Sequence, residues 1–132
     1  QKLTTEVTFA LWLYNQTSSN IGLLCEHLKC PKDMQHIAEL VSIWHDFASD
    51  FLAYESEEIL NFYLKTDGLR RQKRFDLILN SFENLNIDIS MIDQLKIQLN
   101  SIKISDLKNI NIAQELTEER LSVISRFINS AK

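Results

Sequence analysis

Along most of this chain the apolar residues recur at intervals of three and four, the spacing that lines one face of an α-helix. Thr4 or Thr5 is placed to cap a first helix running to Gln16, in which Val7, Leu11 and Tyr14, with Phe9, Trp12 and Leu13 nearby, predict a largely buried element. Ser18, Ser19 and Asn20 then read as a break. A second helix over 21–28 puts Ile21, Leu24, Cys25 and Leu28 on one face, and Pro31 both stops it and can start the next. From Lys32 the residues Ile37, Leu40, Val41, Trp44, Phe47 and Phe51 predict a long amphipathic helix, bent near 46–49, that forms the centre of the core.

Ser56, Glu57 and Glu58 signal another helix start, because a hydroxyl cap and first-turn acids satisfy free amides and complement the helix dipole. That helix carries Ile59, Leu60, Phe62, Tyr63 and Leu64 and ends at Gly68, which suits the left-handed residue just past a helix end. Phe75, Ile78, Leu79 and Phe82 predict a helix over 72–84, followed by an Asn- and Ile-rich linker over 84–89. Ser90 is expected to cap a helix bearing Ile92, Leu95, Leu99 and Ile102. After a turn over 105–111, a last helix carries Ile112, Leu116, Ile124 and Phe127 or Ile128, with Glu115, Glu118, Glu119 and Arg120 facing water. With two Gly and one Pro in 132 residues, turn-rich β folds are disfavoured, and 45% hydrophobic content is enough for one real core. The expectation is an all-α, irregular helical bundle of about six to eight helices.

The formal charge of −4 argues against a general nucleic-acid coat protein, but the charge is unevenly spread. Residues 65–75 alone are net +4, leaving −8 for the remainder, and residues 46–58 hold five acids and no Lys or Arg. Arg70, Arg71, Lys73 and Arg74 fall within five positions, just after Gly68 and directly before an amphipathic helix. A dense positive cluster on a rigid mount points to a polyanion, against the plain alternative of a solvated charged face.

Little else carries chemistry. Cys25 and Cys30 are five apart, neither a CxxC pair nor part of a zinc pattern, and suit buried reduced thiols in a cytosolic protein. No apolar run approaches the roughly 20 residues of a membrane span, and no signal peptide opens the chain, so a cytoplasmic protein without a membrane partner is expected. His27, His36 and His45 are spaced by nine. On one helix that spacing turns His36 and His45 to opposite sides, about 13 Å apart, so they cannot share an ion. His45-Asp46 matches the two-letter signature of HD-type metal phosphohydrolases, but the further ligands of such a site are missing. There is no Gly-rich phosphate loop, no nucleophile context for Ser or Cys, and neither a Gly-Ser dipeptide nor an Asp-x-Asp pair for two-metal phosphoryl transfer. No catalytic residue and no metal ligand is assigned.

The run LLCEHLKCP, then IAELVSIWH, then SEEILNFYLKTDGLRRQKRFDLILNSFE resembles the C-terminal body of bacterial CCA-adding tRNA nucleotidyltransferases, whose pattern reads LC..L..P, LV..WH and D.lRRp.RF. The likeness covers about 21–127, with Arg70, Arg71, Arg74 and Phe75 as its most specific part and IAQELTEERLSVISRF as a weaker closing match. The opening KLTTEVTFALWLYNQ is similar to the segment of family members that carry an HD phosphohydrolase domain, but Tyr14 and Asn15 stand where His and Asp would be. The loop with further histidines is also absent. The resemblance therefore implies a degenerate HD region, with body helices over 1–85 and tail helices over 86–132, together one compact piece of a longer chain. It further implies that nucleotide addition, with Mg, ATP and CTP, belongs to an N-terminal catalytic head, and that this chain holds no cofactor. Its task would be to grip tRNA, Lys65, Arg70, Arg71, Lys73, Arg74 and Arg120 contacting phosphates without reading sequence. One or two of these cations are expected to pair instead with Asp67, Asp76 or Glu83. The alternatives are a helical protein-interaction domain whose basic elbow meets an acidic partner, and a surviving HD-type metal phosphohydrolase.

Overall fold

The computed structural model describes residues 4–103 and 112–131, and every regular element among them is helical. In chain order these are α1 (Thr5–Leu13), α2 (Ser18–Leu28), α3 (Lys32–Ser49), a 3-10 turn (Phe51–Ala53), α4 (Ser56–Lys65), α5 (Gln72–Asn84), α6 (Ser90–Asn100) and α7 (Ile112–Ala131). The all-α irregular bundle expected from the apolar spacing is therefore what forms. The turn expected over 105–111 lies outside the described residues. The chain condenses into two units, each assembled from two separate segments: Gln1–Ser49 with Arg71–Ile89, and Asp50–Arg70 with Ser90–Lys132.

In the first unit α3 is the centre, with α1, α2 and α5 packed on it and α5 also against α1. Thr4 caps α1 by accepting the Val7 N–H at 3.2 Å. The helix then ends at Leu13, three residues short of the expected Gln16, and Val7 and Ala10 are its buried positions. Trp12, expected in the core, is 77% exposed. Ser18, Ser19 and Asn20 do not break the helical pattern as expected. Thr17 accepts the Asn20 N–H at 3.1 Å, so these three residues form the first turn of α2, where short polar side chains are well tolerated. α2 buries Ile21 and Cys25 but leaves Leu28 exposed, and Lys29 closes it in the left-handed conformation. α3 runs as one helix to Ser49 and buries Ile37, Ala38, Val41, Phe47 and Ala48. α5 completes the core with Phe75, Ile78, Leu79 and Phe82. Complete burial of Phe75 and Phe82 contributes on the order of 2 to 3 kcal/mol each.

In the second unit α7 packs against both α4 and α6. Its core joins Ile59, Leu60, Phe62 and Tyr63 to Ile92, Leu95, Leu99, Ile124, Phe127 and Ile128. Phe51 from the 3-10 turn meets Phe62 and Tyr63 edge-on, with ring centroids 6.1 and 6.3 Å away. The buried Tyr63 hydroxyl donates to the Ile92 carbonyl at 2.6 Å and so ties α4 to α6. Ser56 is not the cap that the sequence suggested. Glu55 holds that position without a side-chain bond, while the Ser56 hydroxyl lies 2.7 Å from that of Ser125 on α7. Ile112, expected on the inner face of α7, is largely exposed.

Candidate nucleic-acid interface

The end of α4 sets up the cationic stretch. Thr66 is buried, its hydroxyl donating to the Phe62 carbonyl at 2.8 Å, and Asp67 then turns left-handed at φ 55°. The Gly68 N–H reaches back to the Tyr63 carbonyl at 2.9 Å and the Asp67 N–H to that of Leu64 at 3.2 Å, which together form a Schellman closure. The left-handed residue is thus Asp67 and not Gly68, as the sequence had suggested. Asp is among the few side chains that tolerate that region, and here its carboxylate has a second task.

Arg70 folds back onto that carboxylate. Its Nε lies 3.2 Å from both Asp67 oxygens and its Nη2 is 2.8 Å from Oδ2. The pair is solvent-exposed, and the bond to Asp67 raises the Arg70 pKa further above its ordinary value. Lys65 is exposed in the last turn of α4, where a cation complements the helix dipole, so its position has a structural reason.

α5 has the opposite arrangement. Arg71 occupies the position before its first turn without a side-chain cap, Lys73 and Arg74 sit within that turn, and no acid lies there. A helix N-terminus carries partial positive charge on its unpaired amides, so cations at this end oppose the fold's own electrostatics. All three belong to the first unit, and all three line one concavity of about 670 Å³. Its other walls come from Glu6 of α1, Pro31, Asp33, Met34 and Ile37 at the start of α3, and Gln72 and Leu77 of α5. Arg71, Gln72 and Arg74 also engage other groups of the fold.

Arg120 belongs to the second unit and is not the water-facing residue that its charged neighbours suggested. It lies one turn before the buried Ile124 on α7 and is half-buried, and its Nε is shielded from water with no hydrogen-bond partner among the described residues. Burial lowers its pKa from the ordinary arginine value. Of the six candidate cations, then, Arg71, Lys73 and Arg74 share one surface feature, Arg70 is held by Asp67, and Lys65 and Arg120 lie elsewhere on the second unit. The apolar floor and the carboxylates of the concavity escaped sequence reasoning. Only Met34 and Ile37, one turn apart ahead of the cationic stretch, left a local trace.

His45 and Tyr14 come together in the first unit, with ring centroids 5.1 Å apart and planes at 87°. The His45 Nδ1 faces the carbonyls of Val41 and Ser42 at 3.1 and 2.9 Å, so it carries the proton and donates to them. His27 and His36 are exposed, and no group of three or more metal-ligating side chains occurs among the described residues. Both cysteines are unbridged. Cys25 is buried and its thiol is pushed up to about 11, first by burial and then by its hydrogen bond with Cys30, which is only half-buried. No helix among the described residues is long and apolar enough to cross a membrane.

No family model and no solved structure matches the chain. Curated relatives do. The multifunctional CCA protein of Neisseria meningitidis serogroup C (strain FAM18) is 40% identical over 55 residues, which is 42% of this chain and 13% of that protein. That of Neisseria gonorrhoeae (strain NCCP11945) is 38% identical over the same length and shares. The match therefore spans about an eighth of the relatives' length, and within it this region is related to the CCA-adding enzymes.

Proposed function

We propose that this chain is a tRNA-holding region of a CCA-adding nucleotidyltransferase, placing the acceptor end before a catalytic head outside these 132 residues. The reading rests on one observation: Arg71, Lys73 and Arg74 are gathered around the first turn of α5, which holds no acid, and line one concavity, an arrangement that a bound anion stabilises. Backbone phosphates carry the charge that a helix N-terminus and its neighbouring cations attract. Lys65, Arg70 and Arg120 enter the reading as further phosphate contacts.

The chemistry of nucleotide addition, with its Mg, ATP and CTP, is assigned to the head, because the chain holds neither a Gly-Ser dipeptide nor an Asp-x-Asp pair. The opening helices are read as a degenerate HD region. What supports this is that Tyr14 and Asn15 take the places of the His and Asp in the resembled pattern. A cytoplasmic setting follows from the tRNA partner.

The test is fluorescence anisotropy with labelled tRNA lacking its CCA end, comparing wild type with an Arg71→Glu, Lys73→Glu variant whose helicity is checked by circular dichroism. Three phosphate contacts give a log-log salt slope of about −2.1 to −2.7, a loss of affinity of about twenty- to fortyfold between about 50 and 200 mM salt. The variant should bind markedly more weakly and with a shallower slope. Equal affinities, or a wild-type slope near zero, would overturn the reading, and the shallow slope would favour an acidic protein partner.

A further inference from the structure

Phosphate-backbone contact needs only cations on an exposed face, yet Arg71, Lys73 and Arg74 line a hollow together with the apolar Met34 and Leu77, both half-buried, and the buried Ile37. Its volume of about 670 Å³ falls in the range that encloses a small organic molecule. Glu6 and Asp33 line the same hollow, and two carboxylates there repel a bare phosphate that comes near them. They are, however, acceptors for N–H groups. Cations, apolar side chains and carboxylate acceptors in one hollow suit a ligand with an anion at one end and a flat, amine-bearing ring at the other.

We infer that this hollow receives one unstacked nucleotide of the RNA, its phosphate on the cations that line it and its base over Met34 and Leu77, with an exocyclic amine directed to Glu6 or Asp33. The inference rests on the RNA-binding reading and adds that the contact is with an unpaired nucleotide and not with duplex backbone alone. An adenine, cytosine or guanine base meets the requirement. Uracil, lacking an exocyclic amine, does not, and should bind more weakly.

The chain has two methionines, Met34 in the hollow and Met91 in the other unit, so methyl-labelled methionine provides a probe and an internal control. Titration of wild-type protein with AMP should shift the Met34 methyl resonance saturably and leave Met91 in place, whereas inorganic phosphate and ribose 5-phosphate should leave Met34 unmoved. A short single-stranded RNA should shift the same methyl at lower concentration than AMP, and a Met34→Trp variant that fills the hollow should bind that RNA about tenfold more weakly, the effect of losing one stacked base. A Met34 methyl indifferent to AMP, or one that responds equally to phosphate, would overturn the inference. So would AMP binding that the RNA cannot reproduce, which would make free nucleotide the ligand. If tRNA binding is salt-sensitive and abolished by Arg71→Glu, Lys73→Glu but untouched by Met34→Trp, the hollow is not a base site and the tRNA-holding reading survives alone.

Discussion

The closure of α4 can be taken apart by three substitutions. Asp67 sits at φ 55° and holds Arg70 through both carboxylate oxygens. Asp67→Ala removes the carboxylate and places a β-carbon without compensating polarity in the left-handed region, where an L-residue is disfavoured by roughly 1 to 2 kcal/mol and Asp by less. Asp67→Gly removes the same carboxylate but relieves the backbone, since glycine enters that region freely. The ion pair is lost in both, so it cancels in their difference. The Ala variant should therefore be about 1 kcal/mol less stable than the Gly variant. For a chain of this size that is roughly 4 °C in Tm, read from helical circular dichroism. Arg70→Ala, which breaks the ion pair and leaves the backbone alone, should lie near wild type, because exposed pairs contribute little. Coincident melting of the Ala and Gly variants would refute the assignment of Asp67 as the strained closure, and a large loss in Arg70→Ala would shift the weight to the ion pair.

Three further outcomes are expected. Tyr63→Phe should cost about 1 kcal/mol in chemical denaturation, because its hydroxyl is buried on the Ile92 carbonyl; burial holds the phenol well above its usual pKa, so wild type should lose stability above about pH 10, as the unfolded chain ionises first, and the variant should lose less. Cys25, its thiol pushed up to about 11 first by burial, should add to the loss of wild-type stability over the same alkaline range, because the unfolded chain ionises first, and the stability curve of Cys25→Ala should lack that contribution. Thr17→Ala should destabilise by about 1 kcal/mol through loss of the α2 cap, whereas Ser19→Ala should be nearly silent in the same melts.

The parts of the fold legible in the sequence are those where local signals agree. α5 begins and ends where its apolar stripe of Phe75, Ile78, Leu79 and Phe82 predicts, because a strong periodic face and a polar boundary leave one register. The left-handed closure was misplaced by one residue. Glycine is the default there, but the backbone bonds from Asp67 and Gly68 fix the register from the helix side, and Arg70 gives the aspartate a partner. Trp12 shows another limit: the apolar residues of α1, Val7, Phe9, Ala10, Leu11, Trp12 and Leu13, do not gather on one side, so its sequence does not say which side meets α3. The cations of the candidate interface could be read directly as a charge run. Their surroundings could not, since Glu6, Met34 and Leu77 lie on three different helices and meet only after packing.

The way the two units share the chain has a consequence for how the protein is made. Residues 50–70 leave the first unit and residues 71–89 return to it, so a ribosome delivers α4 of one unit before α5 of the other. Until residue 89 has emerged, α1, α2 and α3 must wait with the surface meant for Phe75 and Phe82 uncovered. No single cut can excise either unit whole. A nick between Ser49 and Asp50 or between Arg70 and Arg71 would leave fragments that must find each other again, and the second of those nicks would part the arginine pair itself.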